Sequence, residues 1–168
     1  MAIHLQFTNG QMSIPENSIP GQAQSVSRGN RAPAATVIHH FVVPYKQDDG
    51  SSVAAAIVPF HAAFGSGVIK RIVAWCIDAP SGGGSEEITV DLQKGDADVP
   101  TAFATVLSAA ISITDSQSDM EQVAGTVSDD EYDAGDVFQL VITAAGSGGT
   151  QGEGLGVSVF FQEHSEND

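Results

Sequence analysis

The feature that most constrains the fold of this chain is a series of short runs with a two-residue hydrophobic period. In Ile88-Thr89-Val90-Asp91-Leu92-Gln93 apolar and polar side chains alternate, and apolar residues again recur at every second position from Leu155 to Phe161. Successive residues of a β-strand point to opposite faces, so such a run forms a strand with one buried face. No convincing amphipathic helix interrupts the series. The pattern therefore predicts an all-β protein.

Further strands and turns are predicted along the body of the chain. The runs at residues 36–45 and 68–77 are apolar on both faces, which is typical of central strands or of strands at a subunit contact. Other candidate strands are residues 53–60, 110–114, 122–128 and 137–144, while residues 101–108 fit either a short helix or a strand. Clusters of Gly and Asp at residues 47–50, 80–84, 94–96 and 146–149 supply the turns. About eight strands with this spacing predict a two-sheet antiparallel sandwich, jelly-roll-like in its topology.

The N-terminal segment, residues 1–33, has a different composition. It mixes Gly, Pro, Asn, Ser and Gln with widely spaced apolar residues and shows no sustained period. So little apolar surface cannot offset the entropy lost when an independent domain becomes ordered. The segment is either a disordered tail or an arm that orders on a partner while Pro15 and Pro20 hold it extended. A tail that only improves solubility rarely has this many large apolar residues, so the arm is favoured.

The sequence thus divides into an extended arm at residues 1–33, a β-sandwich domain at residues 34–164 and a short C-terminal tail at residues 165–168. The arm residues expected to contact a partner are Phe7, Met12, Ile14, Ile19, Arg28 and Arg31.

The chain is strongly acidic, and its charge is unevenly distributed. The formal net charge is −15, from 6 basic and 21 acidic residues. Residues 1–33 carry two Arg and one Glu, so the arm has a charge of +1 and the remainder −16. A nucleic-acid partner is disfavoured, because phosphate backbones are bound by clustered Lys and Arg. The sequence also lacks the apolar run of a membrane helix and the basic start of a secretion signal, so no membrane partner is expected.

The search for catalytic motifs is mostly negative. The sequence contains no G-x-S-x-G elbow, no H-E-x-x-H and no phosphate-binding loop, which disfavours familiar hydrolases and nucleotide enzymes. His39 and His40 are neighbours on a predicted strand and point to opposite faces, so they cannot jointly hold one metal ion. Cys76 lies in an apolar run, where burial raises a thiol pKa and leaves the group inert. We predict no catalytic residue, no metal site and no cofactor.

Two features leave an alternative open. The acidic segment at residues 128–136 has enough carboxylate oxygens for calcium, but its spacing differs from an EF-hand, and a solvated loop is the ordinary interpretation. Paired carboxylates for sugar cleavage are a question of spatial separation, which a sequence does not give. The single tryptophan, Trp75, lies in a doubly apolar run where burial is expected, so it offers no exposed platform for a sugar.

The region from residue 87 to residue 163 resembles small virion proteins of tailed bacteriophages, above all the jelly-roll capsid decoration (cement) proteins. Similar strand patterns occur in phage fibre and receptor-binding domains. The segments that carry the resemblance are Glu87-Ile88-Thr89-Val90-Asp91-Leu92-Gln93-Lys94-Gly95, Ala104-Thr105-Val106-Leu107-Ser108-Ala109, Ala124-Gly125-Thr126-Val127, Ala134-Gly135-Asp136-Val137 and Gly154-Leu155-Gly156-Val157-Ser158-Val159.

The resemblance implies a homotrimer on the outer surface of an icosahedral capsid, assembled in the host cytoplasm, with the major capsid protein as its partner. The arm is then the main shell-binding element, and the sandwich supplies the trimer contacts. The chief alternative is a fibre or receptor-binding module that recognises cell-surface carbohydrate, with the arm as its anchor. A carbohydrate-active enzyme ranks third.

Overall fold

The computed structural model describes residues 6–8, 11–13, 37–83, 85–99 and 101–165. These residues form twelve β-strands and no helix, so no described helix is long and apolar enough to cross a membrane. The strands are β1 (Gln6–Thr8), β2 (Gln11–Ser13), β3 (Val37–Lys46), β4 (Ala56–Ala62), β5 (Ser66–Trp75), β6 (Glu87–Gly95), β7 (Phe103–Thr105), β8 (Ile111–Thr114), β9 (Val123–Gly125), β10 (Glu131–Tyr132), β11 (Val137–Ala145) and β12 (Gly156–Ser165).

The chain divides into two compact units, one of residues 1–36 and one that begins at Val37. In the first unit, β1 and β2 pair in antiparallel fashion, with Phe7 opposite Met12. The sequence did not predict this hairpin, because strands of three residues are too short to show a hydrophobic period. The second unit, which we call the body, contains the other ten described strands.

The body consists of two antiparallel sheets. The first has the order β3–β12–β5, with β9 and β10 both paired to the far side of β5. The second has the order β4–β11–β6, with β7 and β8 both paired to β6. If β7 and β8 are counted as one interrupted strand, and β9 and β10 as another, the body has eight strands. Renumbered from 1 to 8 in chain order beginning with β3, they are arranged 1-8-3-6 in the first sheet and 2-7-4-5 in the second. This arrangement is a jelly roll, so the predicted fold class is confirmed.

The hydrophobic core lies between the two sheets and follows the predicted alternation. Every second residue of β6 and of β11 is buried, and β12 adds Val157, Val159 and Phe161 to the same core. The buried residues of β6 and β11 are Ile88, Val90, Leu92, Phe138, Leu140 and Ile142. Burying an aliphatic or aromatic side chain of this size stabilises a fold by about 1.5–3 kcal/mol. Two-sided packing of this kind makes the sandwich a single cooperative core.

Several local predictions can be compared with the structure. The doubtful stretch at residues 101–108 contains a short strand, β7, and no helix. Cys76 is buried, and burial raises the pKa of its thiol to about 11, as expected for an inert residue. Trp75, which was expected to be buried, is only partly buried, and its ring packs against Gly156. Most of the run at residues 68–77 lies in the central strand β5, whereas the described residues 37–45 of the other run lie in β3, which among the described strands pairs with β12 alone.

Two glycine-rich loops converge on the buried side chain of Glu86. Its carboxylate accepts hydrogen bonds from the backbone N–H groups of Gly149 and Ser85. A β-carbon at either Gly83 or Gly149 would collide with this carboxylate, so glycine is required for the close approach. Burial alone would raise the pKa of Glu86, but the hydrogen bonds from the loop amides hold it below the ordinary value. The glycine clusters therefore wrap a charged side chain as well as turn the chain.

Candidate functional site

The outer face of the first sheet is the strongest candidate for a binding surface. Val42 of β3 lies opposite Phe160 of β12, and Phe160 lies opposite Arg71 of β5. The guanidinium of Arg71 is 6.0 Å from the centre of the Phe160 ring, a cation–π contact. Ile38, four residues before Val42, points to the same side of β3. We call the set Ile38, Val42, Lys70, Arg71 and Phe160 the contact face.

A β-bulge in β5 creates the cationic part of the contact face. The register between β5 and β12 shifts by one residue, so that Phe161 lies opposite Ile69 and Phe160 opposite Arg71. The shift allows Ile69 and Ile72 both to be buried while Lys70 and Arg71 between them are both exposed. In a regular strand two consecutive side chains point to opposite faces, so one of the two cations would point into the core.

The charge of the contact face differs from that of its surroundings. The body has four cations, of which Lys46 pairs with Asp49 and Lys94 with Asp129. Lys70 and Arg71 have no carboxylate partner within 4.0 Å in the described part of the chain. On β3, across β12 from these cations, Ile38 and Val42 remain 48% and 47% exposed, which is high for large apolar residues of a strand. The face thus combines unpaired positive charge with apolar surface on a body of charge −16.

The acidic segment forms a cleft at one end of the body. The cleft has a volume of about 500 Å³ and is lined by Lys94 and six carboxylates, Asp96, Asp98, Asp129, Glu131, Asp133 and Asp136. Lys94 donates to the backbone oxygen of Glu131 over 2.6 Å and contacts Asp129 at 3.0 Å. Asp136 is buried and accepts hydrogen bonds from the amides of Ala97 and Asp133. Four of the six acidic side chains, those of Asp96, Asp129, Asp133 and Asp136, therefore have a polar partner within the body.

The geometry of these carboxylates is not that of a metal centre. Among the described residues no group of three or more His, Cys, Asp or Glu side chains is placed to hold an ion. His39 and His40 are exposed neighbours on β3, and His61 packs against the rings of Phe41 and Phe161, which also stack on each other. Burial lowers the pKa of His61, an effect that nearby Glu163 partly opposes. We assign His61 a packing role.

The predicted contact residues of the arm fall into two groups. Phe7 and Met12 lie opposite each other in the β1–β2 hairpin. Ile14, Ile19, Arg28 and Arg31 lie outside the described residues. The sequence did not predict the contact face. Ile69-Lys70-Arg71-Ile72 places two cations between two apolar residues and so interrupts the strand period, but the bulge that exposes both cations is set by pairing with β12.

Comparison of the chain with family models, with curated proteins and with solved structures gives no match.

Proposed function

We propose that this chain is a non-enzymatic structural protein of a virus particle. It binds the outer surface of an icosahedral capsid as a decoration, or cement, protein and stabilises the shell. Its partners are the major capsid protein and further copies of itself, with a homotrimer as the working unit. The jelly-roll topology and the resemblance of residues 87–163 to phage decoration proteins support this proposal.

The observation that carries the proposal is the separation of acidic and adhesive surface on the body. Acidic side chains predominate on the body, and this charge keeps a protein soluble by mutual repulsion. The contact face instead offers Arg71, Phe160 and Val42, and aromatic residues and arginine are enriched in protein interfaces. A protein fixed to a shell needs one adhesive side and one solvated side, and the contact face and the acidic remainder of the body suit these two roles.

The arm completes the proposed attachment. Phe7, Met12, Ile14 and Ile19 provide spaced apolar anchors, and Arg28 and Arg31 give the segment a charge opposite to that of the body. A segment that orders on its partner loses conformational entropy, so each contact is weak by itself. Many copies bound to one particle compensate through avidity.

Co-sedimentation with purified, expanded capsids tests the proposal. Deletion of residues 1–33 is expected to leave a folded body that no longer attaches. The double variant Lys70→Glu/Arg71→Glu is expected to weaken attachment about tenfold or more, since arginines at interface centres contribute over 1 kcal/mol. Lys46→Glu is the matched control, because this cation already pairs with Asp49. Undiminished attachment of the arm deletion and of the double variant would refute the proposal.

A further inference from the structure

An apolar groove adjoins the acidic cleft at the same end of the body. The groove has a volume of about 480 Å³, and residues of β4, β11 and β7 line it. The lining residues are Pro59, Phe60, His61, Ala62, Phe103, Val137, Phe138 and Gln139. Groove and cleft are neighbours, because Asp136 of the cleft precedes Val137 of the groove, and Gly95, next to Lys94 of the cleft, pairs with Phe103 of the groove. An apolar site thus lies near a negatively charged one.

Two exposed apolar residues lie close in sequence to groove residues, and we call them the rim. Phe64, two residues beyond the end of β4, is 89% exposed, and Val99, in the loop before β7, is 53% exposed. Phe103 lies over Gly95, where a β-carbon would come within 3.0 Å of its ring. The glycine thus lets an aromatic ring form one wall of the groove. A ligand for this surface needs spaced apolar side chains followed by positive charge.

One segment of the chain itself has this composition. Residues 14–31 contain Ile14 and Ile19, followed by Arg28 and Arg31, and they lie in the N-terminal segment of residues 1–33, whose net charge is +1. Ile19 and Arg28 are nine residues apart in the sequence, and an extended chain of that length spans about 30 Å. That distance suffices to place an isoleucine in the groove and an arginine in the adjoining cleft.

The body begins at the end that carries the groove. Val37, the first residue of β3, lies opposite Ser165, and the next residue pair links His164 to Ser66, which follows the turn of Phe64. Residues 14–36 span up to about 75 Å when extended, whereas a domain of this size has a radius of gyration of about 14 Å. The segment is therefore long enough to reach a neighbouring molecule.

We propose that the groove and cleft of one copy bind residues 14–31 of a second copy. Ile14 and Ile19 occupy the groove, and Arg28 and Arg31 pair with carboxylates of the cleft such as Asp129 and Asp133. Two bodies of charge −16 repel each other, and exchange of the positive segments supplies an attraction between them. Because donor and acceptor surfaces differ, the contact is heterologous and can close a ring such as a trimer.

This inference rests on the proposed function, because it uses the same arm, but it assigns the two parts of the arm to different partners. Residues 14–31 link neighbouring copies, while Phe7 and Met12 of the hairpin remain available for the shell. The two ideas can fail separately, because copy-to-copy exchange is measured on isolated protein without capsids. If the isolated protein shows the exchange but does not attach to capsids, only the proposed shell-binding role fails.

Disulfide cross-linking of the full-length chain tests the exchange. In a Cys76→Ser background, which removes the single native thiol, the pair Ile19→Cys and Ala62→Cys is oxidised and analysed on non-reducing gels. The expected result is a covalent dimer or trimer. The matched control joins Ile19→Cys with Ser147→Cys, an exposed residue in the β11–β12 loop, and should remain monomeric. If Ala62→Cys disturbs folding, Val99→Cys at the rim replaces it.

Charge reversal gives a second readout. Arg28→Glu/Arg31→Glu is expected to reduce the cross-linked yield about tenfold, since two exposed ion pairs contribute roughly 1.4 kcal/mol together. Adding Asp129→Lys/Asp133→Lys to that variant should restore the yield. An intrachain disulfide in a monomer, no disulfide at all, or a yield unaffected by charge reversal would each overturn the proposal.

Discussion

Glu86 stabilises the fold through its charge, because its carboxylate binds the amides of the two glycine-rich loops. Glu86→Gln is expected to lower the melting temperature at pH 7, because the side-chain NH2 group of glutamine would face the backbone N–H groups of the loops, and both are hydrogen-bond donors. Glu131→Gln, at an exposed carboxylate, is the matched control. The folded-state pKa of Glu86 lies below the ordinary 4.5, so its contribution is complete above that pH. It is lost as the pH falls through the folded pKa.

Thermal melts of wild type and both variants between pH 2 and pH 7 provide the check. The gap between wild type and Glu86→Gln should close in acid, where Glu86 itself becomes neutral. Equal melting temperatures at pH 7 would show that the carboxylate charge does not hold the loops together.

His61 also makes the body less stable in acid, but through the gain of a positive charge rather than the loss of a negative one. Burial among Phe41, Phe138 and Phe161 lowers its pKa below 6.5, although Glu163 partly opposes the shift. The unfolded chain therefore binds a proton more readily, and stability falls as the pH drops below about 6.5. Below the folded-state pKa the loss is complete. His61→Phe keeps an aromatic ring in the cluster and should flatten the melting temperature between pH 5 and pH 7; an unchanged slope would contradict this assignment.

At the level of single elements, strand β11 gives the clearest test of the two-sheet core. Leu140 is fully buried between the sheets, while its neighbour Val141 points to the outer face and is partly exposed. Leu140→Ala is expected to lower the free energy of unfolding by about 2–5 kcal/mol, because it leaves a cavity. Val141→Ala should cost about 1 kcal/mol or less. Chemical denaturation measures both, and equal costs would contradict the assigned faces.

The strands show how far sequence patterns reach. Alternation at residues 88–93 identified β6 because one of its faces is buried and the other is not. The doubly apolar run at 68–77 marked a central strand, yet its period could not reveal the bulge that exposes Lys70 beside Arg71. A bulge is set by pairing with β12, a partner more than eighty residues away in the sequence. Long-range register of this kind is absent from any local pattern.

For the molecule as a whole, composition and turn spacing were sufficient to predict a jelly-roll sandwich, and this prediction is confirmed. The surfaces were harder to predict, because each combines residues that are distant in sequence. Val42, Arg71 and Phe160 lie on one line across the sheet only through the pairing of β3, β12 and β5. The cleft likewise brings residues 94–98 to residues 129–136. The sequence located the acidic segment but not the lysine that pairs with it.

The proposed attachment of the body and its arm to the outside of a viral shell can be seen by cryo-electron microscopy of purified particles that contain the chain. We expect density for the jelly roll on the outer capsid surface, at points where capsomers meet, with the contact face or the arm against the shell. Density confined to the tail, or particles whose shells lack the protein altogether, would contradict it.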